Sequence, residues 1–196
     1  MTLSPKIQIF GEFLEAIPAS NEYLTLNFSP TSAARKRRWQ HNGISADFLG
    51  DYFAAFFPGD ATSENKINRK NTVKSIVSFI ANELLENAVK YSDRTANLPI
   101  TITLYLYEKE LIFVVTNYAH EISVEKYQDF IRELLDSDSD EFYTRQLEKT
   151  ALGTGQSNMG LLTMINDYSA RLGWKFDYLQ QDLRIIHVSV IARFDI

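Results

Sequence analysis

The sequence contains no cysteine, which removes disulfide frameworks, thiolate metal centres, cysteine nucleophiles and thiol redox chemistry together. It has no long hydrophobic run either, and nothing approaches the roughly 18 uninterrupted apolar residues that a membrane-spanning helix needs. The opening MTLSPKIQIFGEFLEAIP lacks both a basic leader with an apolar run and a small-residue cleavage site, so no secretory signal is expected. Positive charge is in deficit: 20 Lys+Arg stand against 25 Asp+Glu, a net charge of -5. Such a surface does not draw polyanions, so no nucleic-acid partner is expected, and the run Arg35 to Arg38 reads as a solvated helix face. His41, His120 and His187 are scattered and share no metal-ligand spacing. Together these absences lead us to expect a cytoplasmic protein with no membrane association.

What is there supports one core. The chain has 196 residues, 45% of them hydrophobic, with 13 Phe and 10 Tyr. That is enough for a single domain spanning 1–196, residues 1–20 being an N-terminal extension in which Ile7 to Ile17 fits a short helix. Tyr23 to Phe28 alternates apolar and polar residues as a strand does. After Pro30, a helix carrying Arg35 to Arg38 is expected, then one from about Ala46 with Phe48, Leu49, Tyr52, Phe53, Phe56 and Phe57 on a broad apolar face. Residues 59–70 read as a loop. From Thr72 to Tyr91, the residues Val73, Ile76, Val77, Ile80, Leu84, Ala88 and Tyr91 recur at helical spacing along one stripe. Pro99 to Tyr107 and Leu111 to Thr116 form a hairpin. Helices follow at Ser123 to Leu135 and Asp140 to Lys149 around an acidic loop, then a helix from Gly160 to about Leu172. Strands near Trp174 to Leu179 and Arg184 to Phe194 end the chain. The order predicts an α+β fold with helices on one face of a mainly antiparallel, mixed sheet.

Three constellations carry candidate chemistry. On the long helix, Glu83 and Asn87 are four residues apart and stand one above the other, at the margin of the apolar stripe. A carboxylate and an amide in that position are costly to desolvate without polar partners. A solvated helix flank is the plainer alternative. Lys90 follows one turn later, readable as a surface lysine, and Tyr91 lies on the stripe as a core aromatic would. Second, Gly153, Gly155 and Gly160 punctuate LGTGQSNMGLLTMI directly before an apolar helix. Glycine admits close backbone approach to a phosphate, and a helix N-terminus supplies free amide donors. An ordinary flexible turn has the same composition. Third, Asn117 and Ala119 follow a strand in FVVTNYAH, where Asn is also a common turn residue.

NELLENAVKYS resembles the N-box of the superfamily of gyrase, Hsp90 and histidine kinases, the GHKL or Bergerat-fold ATPases. The resemblance implies a Bergerat-type two-layer α/β sandwich, a histidine-kinase-like ATPase domain that uses ATP and Mg²⁺. It implies that Asn87 ligates Mg²⁺, that Glu83 is the catalytic base, that Lys90 reaches a phosphate and that Tyr91 packs near the nucleotide. The glycine-bearing segment is similar to the second glycine box, with Asn158 and Gly160 at its paired glycine positions and Met159 between them. Gly153, Thr154, Gly155, Asn158, Met159 and Gly160 would then cradle the phosphates, and the two helices before them would occupy the lid. Asn117 and Ala119 take the places of the Asp and Gly of the Asp-x-Gly box. An amide in place of the carboxylate costs about 1 kcal/mol of adenine contact. Ala119 costs about 1 to 2 kcal/mol if a left-handed backbone is needed there. Within the superfamily the chain most resembles stand-alone anti-sigma-factor-type Ser/Thr kinases, particularly the Sia-type. That resemblance implies a bacterial partner-switching system, phosphorylation of a small STAS-like or anti-sigma-antagonist-like protein, and a homodimer. A degenerate domain that binds a partner with little or no nucleotide is the alternative.

Overall fold

The apolar stripe of the long helix needs a sheet to cover it, and the sheet is built from both ends of the chain. The computed structural model describes residues 6–28, 42–57, 64–93, 95–152, 159–178 and 184–196. Strands β1 (Ile7–Gly11) and β2 (Glu22–Phe28) are followed by helices α1 (Asn42–Ala54) and α2 (Glu64–Tyr91). The hairpin β3 (Ile100–Leu106) and β4 (Glu110–His120) leads to α3 (Glu121–Asp136), α4 (Ser139–Ala151) and α5 (Met159–Tyr168). β5 (Arg171–Tyr178) and β6 (Ile185–Asp195) complete the described elements. The strands form one sheet in the order β1-β5-β6-β4-β3-β2. Every pairing is antiparallel, so the expected two-layer α+β sandwich has an antiparallel sheet rather than a mixed one.

Alternation along the strands decides which residues meet the helices. On β4, Leu111, Phe113, Val115, Asn117 and Ala119 are buried on one face, opposite Phe194, Ala192, Val190, Val188 and Ile186 of β6. Against them α2 lays Val77, Ile80, Ala81, Leu84 and Ala88, all buried. The helix thus follows its sequence stripe. The broad aromatic face expected on α1 splits in two. Leu49 and Phe53 are fully buried, while Phe48 and Tyr52 are exposed with Phe56 beyond the helix end. Gly50 lets α1 close on α2, because a Cβ there would run into the Ser78 side chain and the Lys74 carbonyl.

The N-terminal segment corrects the reading most. The helix expected at Ile7 to Ile17 is instead strand β1, the sheet's edge, paired with β5 from Ile7↔Asp177 to Gly11↔Gly173. Beyond Gly11 (φ 63) the chain crosses the sheet face opposite the helices. There the backbone of Phe13 sits where a Cβ of Gly173 would be, and Glu12 N donates to Leu172 O at 2.8 Å. At the far side Tyr107 Oη donates to Pro18 O at 2.6 Å and Ser20 Oγ to Leu106 O at 2.8 Å. Ile112 and Ile191, which point to that same face, are buried.

Boundaries elsewhere moved for local reasons. α2 starts at Glu64 within the polar stretch expected as a loop. The acidic loop shrinks to Ser137 and Asp138, where Asp138 Oδ1 accepts from Glu141 N at 3.2 Å and caps α4. α5 stops at Tyr168 and not near Leu172, because Ser169 adopts φ 52 and Ala170 N turns back to Met164 O. The Arg35 to Arg38 helix, with His41, lies outside the described residues.

Candidate functional site

Near its C-terminal end α2 runs along the sheet at β4, with Leu84, Leu85 and Ala88 buried. Glu83 and Asn87 are therefore half-buried at the edge of the packed stripe, as their spacing predicts. The first turn of α5 abuts this edge. A Cβ built on Gly160 would overlap the carboxylate of Glu83, so the glycine and the acid are in direct contact across two elements far apart in sequence. Burial raises the Glu83 pKa above its ordinary value, the neighbouring Glu86 carboxylate raises it further, and a hydrogen bond from Asn82 opposes both.

One turn further on, a cavity opens between α2, α3 and the sheet. α2 lines it with Asn87 and Tyr91, β4 with Val115, Asn117 and Ala119, β6 with Val188 and Val190, and α3 with Ser123 and Tyr127. Its volume is about 400 Å³ when the open mouth is counted. The enclosed centre has room for roughly one or two water molecules. The rings of Tyr91 and Tyr127 stack at 4.7 Å across one side, and Trp174 Nε1 donates to Tyr127 Oη at 3.0 Å. Burial raises the Tyr127 pKa far above that of a free phenol.

Asn117 is the unusual member of this lining. It is 3% exposed, and its buried Nδ2 finds no hydrogen-bond partner among the described residues. A buried amide donor left unpaired costs about 1–3 kcal/mol. It belongs to β4, paired with Val188, rather than to a turn after the strand. Ala119 also lies within β4, paired with Ile186. Among the described residues only Asn97 and Ser169 are non-glycines with positive φ, so the left-handed strain expected at Ala119 does not arise. The end of α2 is anchored here, since Asp93 N donates to Tyr118 O at 2.7 Å.

The other expected site residues are divided among four settings. Tyr91 lines the cavity and packs against the core. Lys90 is exposed, with Nζ 5.0 Å from the Tyr91 ring centre, and partial burial lowers its pKa. Met159 opens α5 and packs against the core. Gly153, Thr154, Gly155 and Asn158 lie outside the described residues. The sequence reading missed Tyr127, Val188 and Val190. The alternation on β6 marked its two valines as inward-facing, but nothing local linked them to a site.

This fold has a counterpart. A chain in the crystal structure of the SiaB-SiaC complex from Pseudomonas aeruginosa matches at a TM-score of 0.53 over 88% of this chain and 89% of that one. The two are 14% identical, so the likeness is one of fold. No protein-family model and no curated protein matches the sequence. Among the described residues no helix is long and apolar enough to cross a membrane.

Proposed function

We propose that this protein is an ATP- and Mg²⁺-dependent Ser/Thr protein kinase of a partner-switching system, acting on a small STAS-like protein. The observation that carries this reading is the meeting of Glu83 with Gly160 beside the cavity that Asn87 and Asn117 line. An acid of raised pKa beside a helix N-terminus, next to a cavity with an unpaired amide, is a site for a hydroxyl, a phosphate and a base.

In this reading Asn87 offers its side-chain oxygen to Mg²⁺, an oxygen ligand suited to a hard cation that keeps several waters and phosphate oxygens. Bound magnesium would neutralise charge on the phosphates. The first turn of α5 supplies amide donors to the same phosphates. Glu83 orients the partner's Ser or Thr hydroxyl and takes its proton as the phosphoryl group is transferred to that oxygen. Phosphate oxygens of the nucleotide and water would supply further ligands to the cation. The structural neighbour was crystallised as a SiaB-SiaC complex, which supports a role carried out with a partner protein.

The test is transfer of label from ATP to a candidate partner encoded beside this protein, comparing wild type with Glu83→Ala and Asn87→Ala. Transfer should fall at least about a hundredfold in both variants. Undiminished transfer by both would overturn the assignment.

One observation favours a second reading, a regulatory module that binds its partner with little nucleotide. With the Tyr91 and Tyr127 rings stacked, the enclosed centre of the cavity is too small for a base, so nucleotide entry requires that stack to open. Partner binding of equal affinity with and without Mg²⁺-ATP, in the absence of any transfer, would support it.

A further inference from the structure

The cavity wall around Asn117 is apolar, formed by Leu84, Val115, Val188 and Val190, and the Asn117 amide is the polar group buried within it. Once the Tyr91-Tyr127 stack opens, such a wall accepts a flat, largely apolar body with one hydrogen-bonding edge, and a nucleobase has that form. A carboxylate at this position could only accept hydrogen bonds. It would demand a ring amino group and repel a ring carbonyl. An amide presents an acceptor, Oδ1, beside a donor, Nδ2, and a half-turn about its terminal torsion exchanges the two positions.

We propose that Asn117 reads a purine through both atoms of its amide, so that the site takes 6-oxopurine nucleotides as well as adenine nucleotides. With adenine, the 6-amino group donates to Oδ1 while N1 accepts from Nδ2. With hypoxanthine, the flipped amide donates from Nδ2 to O6 while N1-H donates to Oδ1. Each pairing satisfies the Nδ2 that is otherwise buried alone. Asparagine also takes adenine through both atoms of its amide when proteins read DNA, there at N6 and N7 rather than at N6 and N1. The inference rests on the nucleotide-binding reading above and adds base selectivity to it.

The experiment is calorimetric titration of the wild-type chain and of Asn117→Asp with Mg²⁺-ATP and Mg²⁺-ITP. ITP carries the 6-oxo edge without a 2-amino group to accommodate. Measurement at pH 8 favours the ionised form of the introduced carboxyl, against the upward pKa shift that burial brings. The wild type is expected to bind the two nucleotides within about tenfold of each other, and Asn117→Asp to prefer ATP by about thirtyfold or more. The wild-type ratio stands by itself if the variant fails to fold. Wild-type binding of ATP with ITP more than about a hundredfold weaker overturns the inference and leaves the nucleotide reading intact. Binding of neither nucleotide overturns both.

Discussion

Gly160 and Glu83 meet with no room for a methyl group between them. The contact joins the first turn of α5 to the margin of α2, and it fixes the distance between a glycine turn and an acid that are separate in the sequence. Glycine is required here by space rather than by backbone conformation, since Gly160 has no positive φ.

A methyl group on Gly160 should therefore move the acid. Gly160→Ala is expected to cost about 1 kcal/mol, since the atoms it meets are those of the movable Glu83 side chain, and on the proposed kinase reading to cut phosphoryl transfer at least about tenfold by displacing Glu83. In a Glu83→Ala background the same substitution should cost almost nothing, because the overlapping carboxylate is gone. Thermal melting of the four proteins checks this. Equal costs in both backgrounds would deny that the two residues meet.

The pH dependence of stability reports on Glu83 separately. Its pKa is raised above the ordinary 4.5, first by burial and then by Glu86, so the folded chain holds a proton there that the unfolded chain releases. The stability this proton supplies is complete below the unfolded value and is lost as pH rises through the higher folded one. Glu83→Gln should melt higher than wild type at pH 7.5 by about 1–2 °C, and the gap should close toward pH 4.5. A gap that does not change with pH would contradict the raised pKa. If Glu83 is the base, transfer in the wild type should climb across the same window.

The crossing of the N-terminal segment over the open sheet face has its own test. A side chain at Gly173 meets the backbone of Phe13, which cannot give way as a flexible side chain would. Gly173→Ala should cost about 1–3 kcal/mol, which lowers Tm by several degrees in a chain of this size. A chain lacking residues 1–20 should show no such loss on the same substitution, although it will be less stable overall. Unchanged melting of the full-length variant would mean that the segment does not cross there.

The long helix was legible because its stripe is strong, and Glu83 and Asn87 stand where that stripe put them. β1 was not legible. Ile7, Phe10, Leu14 and Ile17 mimic a helical period, while the strand itself points Ile7 and Ile9 outward and buries Gln8 enough to pair with Gln128 and Tyr178. An edge strand apolar on both faces carries no alternation to read. Asn117 looked like a turn residue because a polar side chain on the buried face of a central strand breaks the pattern that marks strands. That break coincides with the candidate site, where local rules are expected to fail. The end of α5 was invisible for a simpler reason: Ser169, not glycine, takes the left-handed position.

Whether the cavity beside Asn87 receives a magnesium-bound nucleotide is measured most directly by calorimetric titration of the full chain with ATP at saturating Mg²⁺. Saturable binding is expected in the wild type, weakened at least about tenfold in Asn87→Ala or on chelating the metal. A flat trace from the folded wild-type protein, or binding that neither Asn87→Ala nor chelation changes, would contradict the nucleotide-binding reading.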